Sequence, residues 1–149
     1  QRTTADATQV NAIAIGTTVV VGHSSGFVEF ATGPGFTFTK AATALTGSVA
    51  GLAFAVDGFS SGGLVTGSTY AVTATGTAGG GKVFRSTDSG ATFADVTVAT
   101  PAIDTSDYFF VAPHPTDGTT LYVLGNGSLA VAPATLPSSG IFKRTFAGP

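Results

Sequence analysis

The chain has 149 residues, enough for one domain with a sizeable core, and only 9% of them are charged, against about a quarter in typical soluble proteins. A net charge of −2, with six scattered lysines and arginines, excludes the basic surface that nucleic acid or an anionic membrane requires. The absence of cysteine excludes disulfides and thiolate metal sites. We therefore expect neutral partners, protein or glycan, with no nucleic acid and no membrane insertion.

Short apolar or alternating runs bounded by Gly, Pro, Asp and Ser predict β-strands along the whole chain. The first group of runs covers residues 10–15, 18–21, 26–31 and 36–41. The second covers residues 49–56, 69–74, 82–85 and 92–98. The third covers residues 107–112, 120–124 and 140–143. Because no window shows the 3.6-residue period of a helix, we predict an all-β fold.

A polar turn stands between the last two strands of the second group, with the pattern Ser-x-Asp-x-Gly-x-Thr-Phe formed by Ser86, Asp88, Gly90, Thr92 and Phe93. We expect Asp88 to accept hydrogen bonds from N–H groups of its own turn and Gly90 to adopt a positive φ. Thr92 would start the returning strand, and Phe93 would point inward. These are structural roles, so we predict no catalytic residue and no metal ligand in this turn.

This pattern resembles the Asp-box, or BNR repeat, of β-propellers such as sialidases, sortilin-type receptors, xyloglucan-cleaving enzymes and photosystem assembly factors. The resemblance implies propeller blades of four antiparallel strands with the motif on the outer hairpin. Because these proteins include both enzymes and binders, it implies no single activity. Sialidases hold the substrate carboxylate with three arginines, whereas Arg85 and Arg144 occupy matching peripheral positions here. The resemblance therefore covers the scaffold and not a sialidase active site.

Two degenerate copies of the motif flank the complete one. Aligning Gly35 with Gly90 places Thr37 and Phe38 on the Thr-Phe pair, at an offset of 55 residues. Aligning Gly148 with Gly90 gives an offset of 58 residues, near the length of a blade with its loops, about 40–50 residues. We predict a single segment with blades at about 10–41 and 49–98 and a partial blade at about 107–149.

A propeller closes with at least four blades, so about three blades form an incomplete ring. We favour one segment of a larger protein. The alternatives are an assembly of copies, in which residues 1–9 supply the strand missing after Pro149, and a small sandwich or solenoid. The start at Gln1, without a basic and apolar leader, is expected of a secreted protein after signal-peptide removal or of part of a longer chain.

Few residues are candidates for chemistry. His23 and His114 have no second histidine or carboxylate at ligand spacing nearby, so no metal site and no cofactor is predicted. Asp57 follows an inner strand and opens a long Gly/Ser loop, which makes it the first carboxylate to test. His114, between two prolines, is the other candidate. The structural interpretation is a strand-end turn aspartate for Asp57 and, for His23 and His114, a loop or strand-end histidine with one backbone hydrogen bond.

Together these features indicate a non-catalytic segment that scaffolds an assembly or binds protein or glycan through its loops. The expected location is extracellular, at the cell surface or periplasmic. The alternative is the non-catalytic part of a larger glycoside hydrolase of sialidase or xyloglucanase type. Such an enzyme needs two carboxylates about 5–10 Å apart across a sugar cleft, and the sequence brings no two together.

Overall fold

The computed structural model describes residues 6–16, 18–33, 35–56, 67–76, 80–97, 107–115, 120–126 and 139–145. All regular secondary structure in these ranges is β-strand, which confirms the predicted all-β fold. No helix in this part of the chain has the length and apolar character that a membrane span requires.

The strands form three antiparallel sheets in which each strand pairs with the next one along the chain. The first sheet contains β1 (Val10–Ile15), β2 (Val19–His23), β3 (Val28–Ala31) and β4 (Thr39–Lys40). The second contains β5 (Ser48–Val56), β6 (Gly67–Ala74), β7 (Val83–Ser86) and β8 (Ala94–Asp95). The third contains β9 (Asp107–Pro113), β10 (Thr120–Asn126) and β11 (Ser139–Thr145).

The first two sheets repeat one pattern at a fixed interval. Their third strands begin at Val28 and Val83, and their fourth strands begin at Thr39 and Ala94, so both intervals are 55 residues. This interval equals the offset that the alignment of Gly35 with Gly90 predicts. The fourth strands are shorter than expected, with two residues each in place of 36–41 and 92–98. The chain completes its turn first, so the fourth strand begins to pair with the third only at Thr39 in the first sheet and at Ala94 in the second.

Successive sheets pack face to face, and their first strands β1, β5 and β9 are in contact. Between the first and second sheets, the small residues of β1 lie against large residues of β5. Ala12 packs beside Leu52 in the shared core, and the ring of Phe54 covers Gly16. Val20, Val28, Val49 and Phe84 complete this core. Each is 7% exposed or less.

The second and third sheets enclose another core with the same division between small and large residues. Ala53 and Ala55 of β5 pack with Tyr108 and Val111 of β9. Tyr70, Val72, Val83, Leu121 and Val123 complete this core. Gly51 allows a close approach of β9, because a Cβ there would lie 3.2 Å from the carbonyl oxygen of Phe109 and 3.2 Å from the Cα of Phe110, besides 2.9 Å from Cγ2 of Val72 in its own sheet. The backbone of β9 therefore rests directly on β5.

Gly51→Ala should destabilise the fold by about 1–3 kcal/mol, because the added methyl group meets the buried side chain of Val72 and also backbone atoms of β9 that can move only if the third sheet shifts. Gly35→Ala is the matched control, since a Cβ at Gly35 has no heavy atom within 4 Å, and its effect should stay within about 0.5 kcal/mol. Urea unfolding of the two variants measures both values. Equal stabilities would contradict close packing of β5 on β9.

Candidate functional site

The turn between β7 and β8 is closed by side chains of the Ser-x-Asp-x-Gly-x-Thr pattern. Asp88 Oδ1 accepts a hydrogen bond of 2.8 Å from the Thr92 N–H, and Asp88 Oδ2 accepts one of 2.5 Å from the Thr92 hydroxyl. Ser89 and Gly90 both have positive φ, at 64° and 96°. The carboxylate thus turns onto its own loop as the sequence predicts, and Thr92 is held in the turn two residues before β8 begins.

Ser86 is the buried centre of this turn, with 1% of its surface exposed. Its hydroxyl donates to Asp88 Oδ1 at 2.8 Å and accepts from the buried N–H of Gly90 at 2.8 Å and from the N–H of Asp88 at 3.4 Å. Asp88 itself is exposed. Desolvation raises the pKa of Asp88, but the hydrogen bonds from Thr92 and Ser86 outweigh it and hold that pKa below its usual value.

The turn also connects two sheets. The Thr18 hydroxyl donates to the carbonyl oxygen of Ser89 at 3.5 Å. A Cβ on Gly90 would lie 3.2 Å from side-chain atoms of Val20 and Phe30. Phe93 packs against the core between the first two sheets, as predicted. All these contacts serve packing, and the Asp88 carboxylate is occupied by bonds within its own loop.

The other predicted positions stand apart from this turn. Gly35 is exposed and has an ordinary φ, while the left-handed residues of the first hairpin are Gly33 and Phe36. Thr37 is exposed and Phe38 is half-buried. The two hairpins therefore share strand positions but not turn geometry. Asp57 and Gly148 lie outside the described residues.

His114 closes the hairpin between β9 and β10. Its N–H donates to the carbonyl oxygen of Thr120 at 2.9 Å, and its ring centroid lies 6.3 Å from that of Tyr122. The side chain is half-buried. This is the backbone-bonded loop histidine of the structural interpretation.

The structure brings together a second group of polar residues, which sequence reasoning missed. Asp6, His23 and Glu29 are buried, with 6%, 0% and 0% of their surfaces exposed, and Lys40 borders them. We call these four residues the polar cluster. Val20 and Val28 pack into the core, and strand alternation therefore places His23 and Glu29 on the opposite, outer face of the first sheet. Alternation alone could have paired His23 with Glu29, because their strands are joined by a short hairpin.

Residues 6–9 run across this outer face and cover the cluster. The N–H of Asp6 donates to Glu29 Oε1 at 2.5 Å, and the carbonyl oxygen of Thr8 lies 3.4 Å from His23 Nδ1. The carbonyl oxygen of Gln9 accepts from the N–H of Ser24 at 2.9 Å. We call residues 6–9 the strap.

Asp6 anchors the strap to the sheet. Its carboxylate accepts hydrogen bonds from the N–H and hydroxyl of Thr8 and, at 3.2 Å, from the hydroxyl of Ser25. Lys40 Nζ lies 2.9 Å from Asp6 Oδ2 and 3.5 Å above the ring centroid of Phe27. The hydrogen bonds from Thr8, followed by those from Lys40, hold the pKa of Asp6 far below its usual value.

The polar cluster is not built for hydrolysis or metal binding. Its carboxylates approach opposite ring nitrogens of His23, Asp6 at 3.9 Å from Nδ1 and Glu29 at 3.8 Å from Nε2, so the three groups do not converge on one point. No group of three or more metal-ligating side chains is arranged around a common centre in the described ranges. Substrate cannot reach Glu29 or His23, because both are fully buried.

Another aspartate joins the second and third sheets. Asp107 Oδ1 accepts from the N–H of Thr75 and Oδ2 from the N–H of Gly76, both at 2.8 Å. Gly76 has a φ of 76°, so the carboxylate binds the turn that follows β6. Asp107 is 8% exposed, which makes this contact a buried link between sheets.

A groove of about 270 Å³ opens between the first and second sheets near the turn of Ser86. Leu45, Phe84 and Phe93 form its apolar wall, and Thr92 and Asp95 stand among its polar lining. This combination suits a small neutral group more than a charged one.

No protein-family model matches the chain, and no curated protein matches its sequence.

Ser86→Ala should destabilise the fold by about 1–3 kcal/mol, because it leaves the buried Gly90 N–H without its acceptor. Asp88→Asn should cost less, about 1 kcal/mol or below, because the exposed carboxylate is screened by solvent and the amide oxygen can still accept from Thr92. Thermal and urea unfolding measure which of the two variants loses more stability. The exposed Thr87→Ala is the control, with an expected change within about 0.5 kcal/mol. A larger loss for Asp88→Asn than for Ser86→Ala would contradict this account.

The low pKa of Asp6 predicts the direction in which the stability of the fold changes as the solution becomes acidic. Because the folded value lies below the unfolded value of about 3.9, ionised Asp6 stabilises the fold above about pH 4, and this contribution is lost as pH falls towards the folded pKa. Asp6→Asn should therefore be less stable than the wild type at pH 7, and the difference should shrink below about pH 4. Urea unfolding at several pH values measures it, and a difference that stays constant down to about pH 2 would exclude this role.

Proposed function

We propose that the chain is a non-catalytic segment of an Asp-box β-propeller, which serves as a structural scaffold and binds protein through the outer faces of its sheets. The observation that supports this most directly is the division of small and large residues between the first strands. Ala12 of β1 packs against Leu52 of β5. On the other side of β5, Ala53 and Ala55 pack against Tyr108 of β9.

The same division predicts what the free face of the first sheet needs. Ile13 and Ile15 point away from the second sheet, because Ala12 and Ala14 alternate with them and are buried or half-buried. The two isoleucines are 58% and 73% exposed. In both internal interfaces, large residues of one first strand pack on small residues of the first strand in the preceding sheet. By this rule, we expect Ile13 and Ile15 to pack against small residues on the first strand of a further sheet.

The outer face of the third sheet is also apolar. Phe110 and Leu124 are direct partners across β9 and β10, so their side chains share one face, and they are 58% and 39% exposed. Tyr108 and Val111 face the second sheet instead. Exposed apolar patches at both ends of a stack support association with further sheets, in the same protein or in another copy.

A non-catalytic role is supported by the state of three carboxylates among the described residues. Asp88 and Asp107 are bound to backbone N–H groups of turns, and Glu29 is fully buried beneath the strap. A low charge content and a sequence rich in Ser, Thr and Gly support an extracellular, cell-surface or periplasmic location. Partners are then other sheets and neutral protein surfaces, with the groove beside Phe93 as the place for a glycan.

Native mass spectrometry with small-angle scattering of the source protein tests this function. We expect a particle heavier than 14.6 kDa with a ring-shaped profile, made of further sheets or further copies. A folded monomer of 14.6 kDa with a cooperative unfolding transition would overturn the proposal. A glycan panel on the same protein should show no hydrolysis, and hydrolysis would support the glycoside hydrolase alternative.

Substitutions on the two outer faces should break the assembly without unfolding the chain. Ile15→Lys and Phe110→Lys each place a charge on an exposed apolar face, so we expect about a tenfold or greater loss of association, with circular dichroism unchanged. Thr32→Lys adds the same charge at an exposed polar position and should leave association intact. If Thr32→Lys weakened association as much as the other two, the outer faces would not be the interface.

A further inference from the structure

We propose that the strap, residues 6–9, is a pH-sensitive latch whose docking on the first sheet requires His23 to carry a proton on both ring nitrogens. The strap lies at the surface, with Ala7, Thr8 and Gln9 exposed and Asp6 turned inward. It is fixed to the sheet by the bonds from Ser24 to Gln9 and from Asp6 to Glu29 and by the ion pair with Lys40. Each of these contacts can break without loss of the hydrophobic cores.

Both ring nitrogens of His23 face oxygen atoms, but a neutral imidazole carries a proton on only one of them. Nδ1 lies 3.4 Å from the carbonyl oxygen of Thr8, which can only accept a hydrogen bond, so Nδ1 carries the proton. In a neutral ring, Nε2 then presents a lone pair to Glu29 Oε2, 3.8 Å away. Both Nε2 and Oε2 are buried, and neither has a hydrogen-bond partner among the described residues. A second proton on the ring turns this contact from repulsive to attractive.

The charges around the ring lead to the same conclusion. Among the described residues, the charged groups that face the polar cluster are Asp6 from the strap, Glu29 from β3 and Lys40 from β4. The His23 ring lies between the two carboxylates, so a second proton on the ring places a positive charge beside both. A buried carboxylate is stabilised by a nearby opposite charge, and this geometry therefore favours the protonated ring under the docked strap.

Linkage then gives the direction of the response. In the proposed latch docking takes up one proton, so docking weakens as pH rises, by up to about tenfold per pH unit. Release of the strap exposes His23 and Glu29 on the outer face of the first sheet.

Two measurements on the full chain test the latch. The first is the nitrogen-15 NMR spectrum of the His23 ring, which distinguishes a doubly protonated ring from a neutral one. We expect both nitrogens to be protonated at pH 6, and a neutral ring at that pH would overturn the proposal. The second is hydrogen exchange of the Ser24 N–H, which donates to the strap and reports its docking. Its protection factor should fall about tenfold or more between pH 6 and 8, and constant protection would overturn the proposal.

Glu29→Gln separates the latch from a purely structural role. The amide oxygen can still accept from the Asp6 N–H, and the amide NH₂ can donate to the lone pair of a neutral His23. Docking should therefore persist and lose its pH dependence, with circular dichroism confirming the fold. A pH response like that of the wild type would contradict the proposal. His114→Gln removes the other histidine and should keep the wild-type response, whereas loss of the response in this variant would assign it to His114.

Discussion

The contact between the first strands of successive sheets is the constraint on which the rest of the structure depends. Gly51, Ala53 and Ala55 leave so little bulk on one side of β5 that the backbone of β9 can lie against it. On its other side, Leu52 and Phe54 fill the space that Ala12 and Gly16 leave. Because alternate residues of one strand face opposite sheets, a single sequence of small and large side chains sets both interfaces at once. Apolar burial of this kind contributes roughly 25 cal/mol for each Å² removed from water.

Polar contacts hold the sheets together away from these first strands. The turn around Ser86 reaches the first sheet through Thr18, and Asp107 holds the turn after β6 from the start of β9. Each uses a side chain to satisfy backbone groups that a buried or tightly turned loop would leave unpaired. The strap over His23 and Glu29 is different in kind, because the cluster beneath it keeps two buried atoms with no hydrogen-bond partner among the described residues. In the proposed latch, docking of the strap depends on the protonation of His23.

The strands and the 55-residue interval were predictable from the sequence, because alternation and turn residues act locally and the third and fourth strands repeat at that spacing. The hydrogen bonds of Asp88 and the positive φ of Gly90 were predictable for the same reason. Strand alternation across the short hairpin of β2 and β3 was enough to pair His23 with Glu29, but the whole polar cluster was not predictable, since it also needs the path of the residues before β1, which depends on long-range contacts. The short fourth strands were missed because Thr92 belongs to the turn, which β-propensity does not reveal. Ser86 was recognised as part of a motif, but its burial as the acceptor for Gly90 depends on how the turn sits against the first sheet.

The central claim is that the large residues on the outer face of the first sheet are covered by small residues of another sheet in the assembled protein. These 149 residues contain no cysteine, so Ile15→Cys in the intact source protein introduces one thiol into this part of the chain, and mass spectrometry of the peptide that carries it follows its maleimide labelling rate as a report on exposure of that face. We predict labelling at least about tenfold slower than that of a Thr32→Cys reference under native conditions, and equal labelling of both once the protein is unfolded. Equal labelling rates in the native protein would show that the face is open to solvent and would contradict the account.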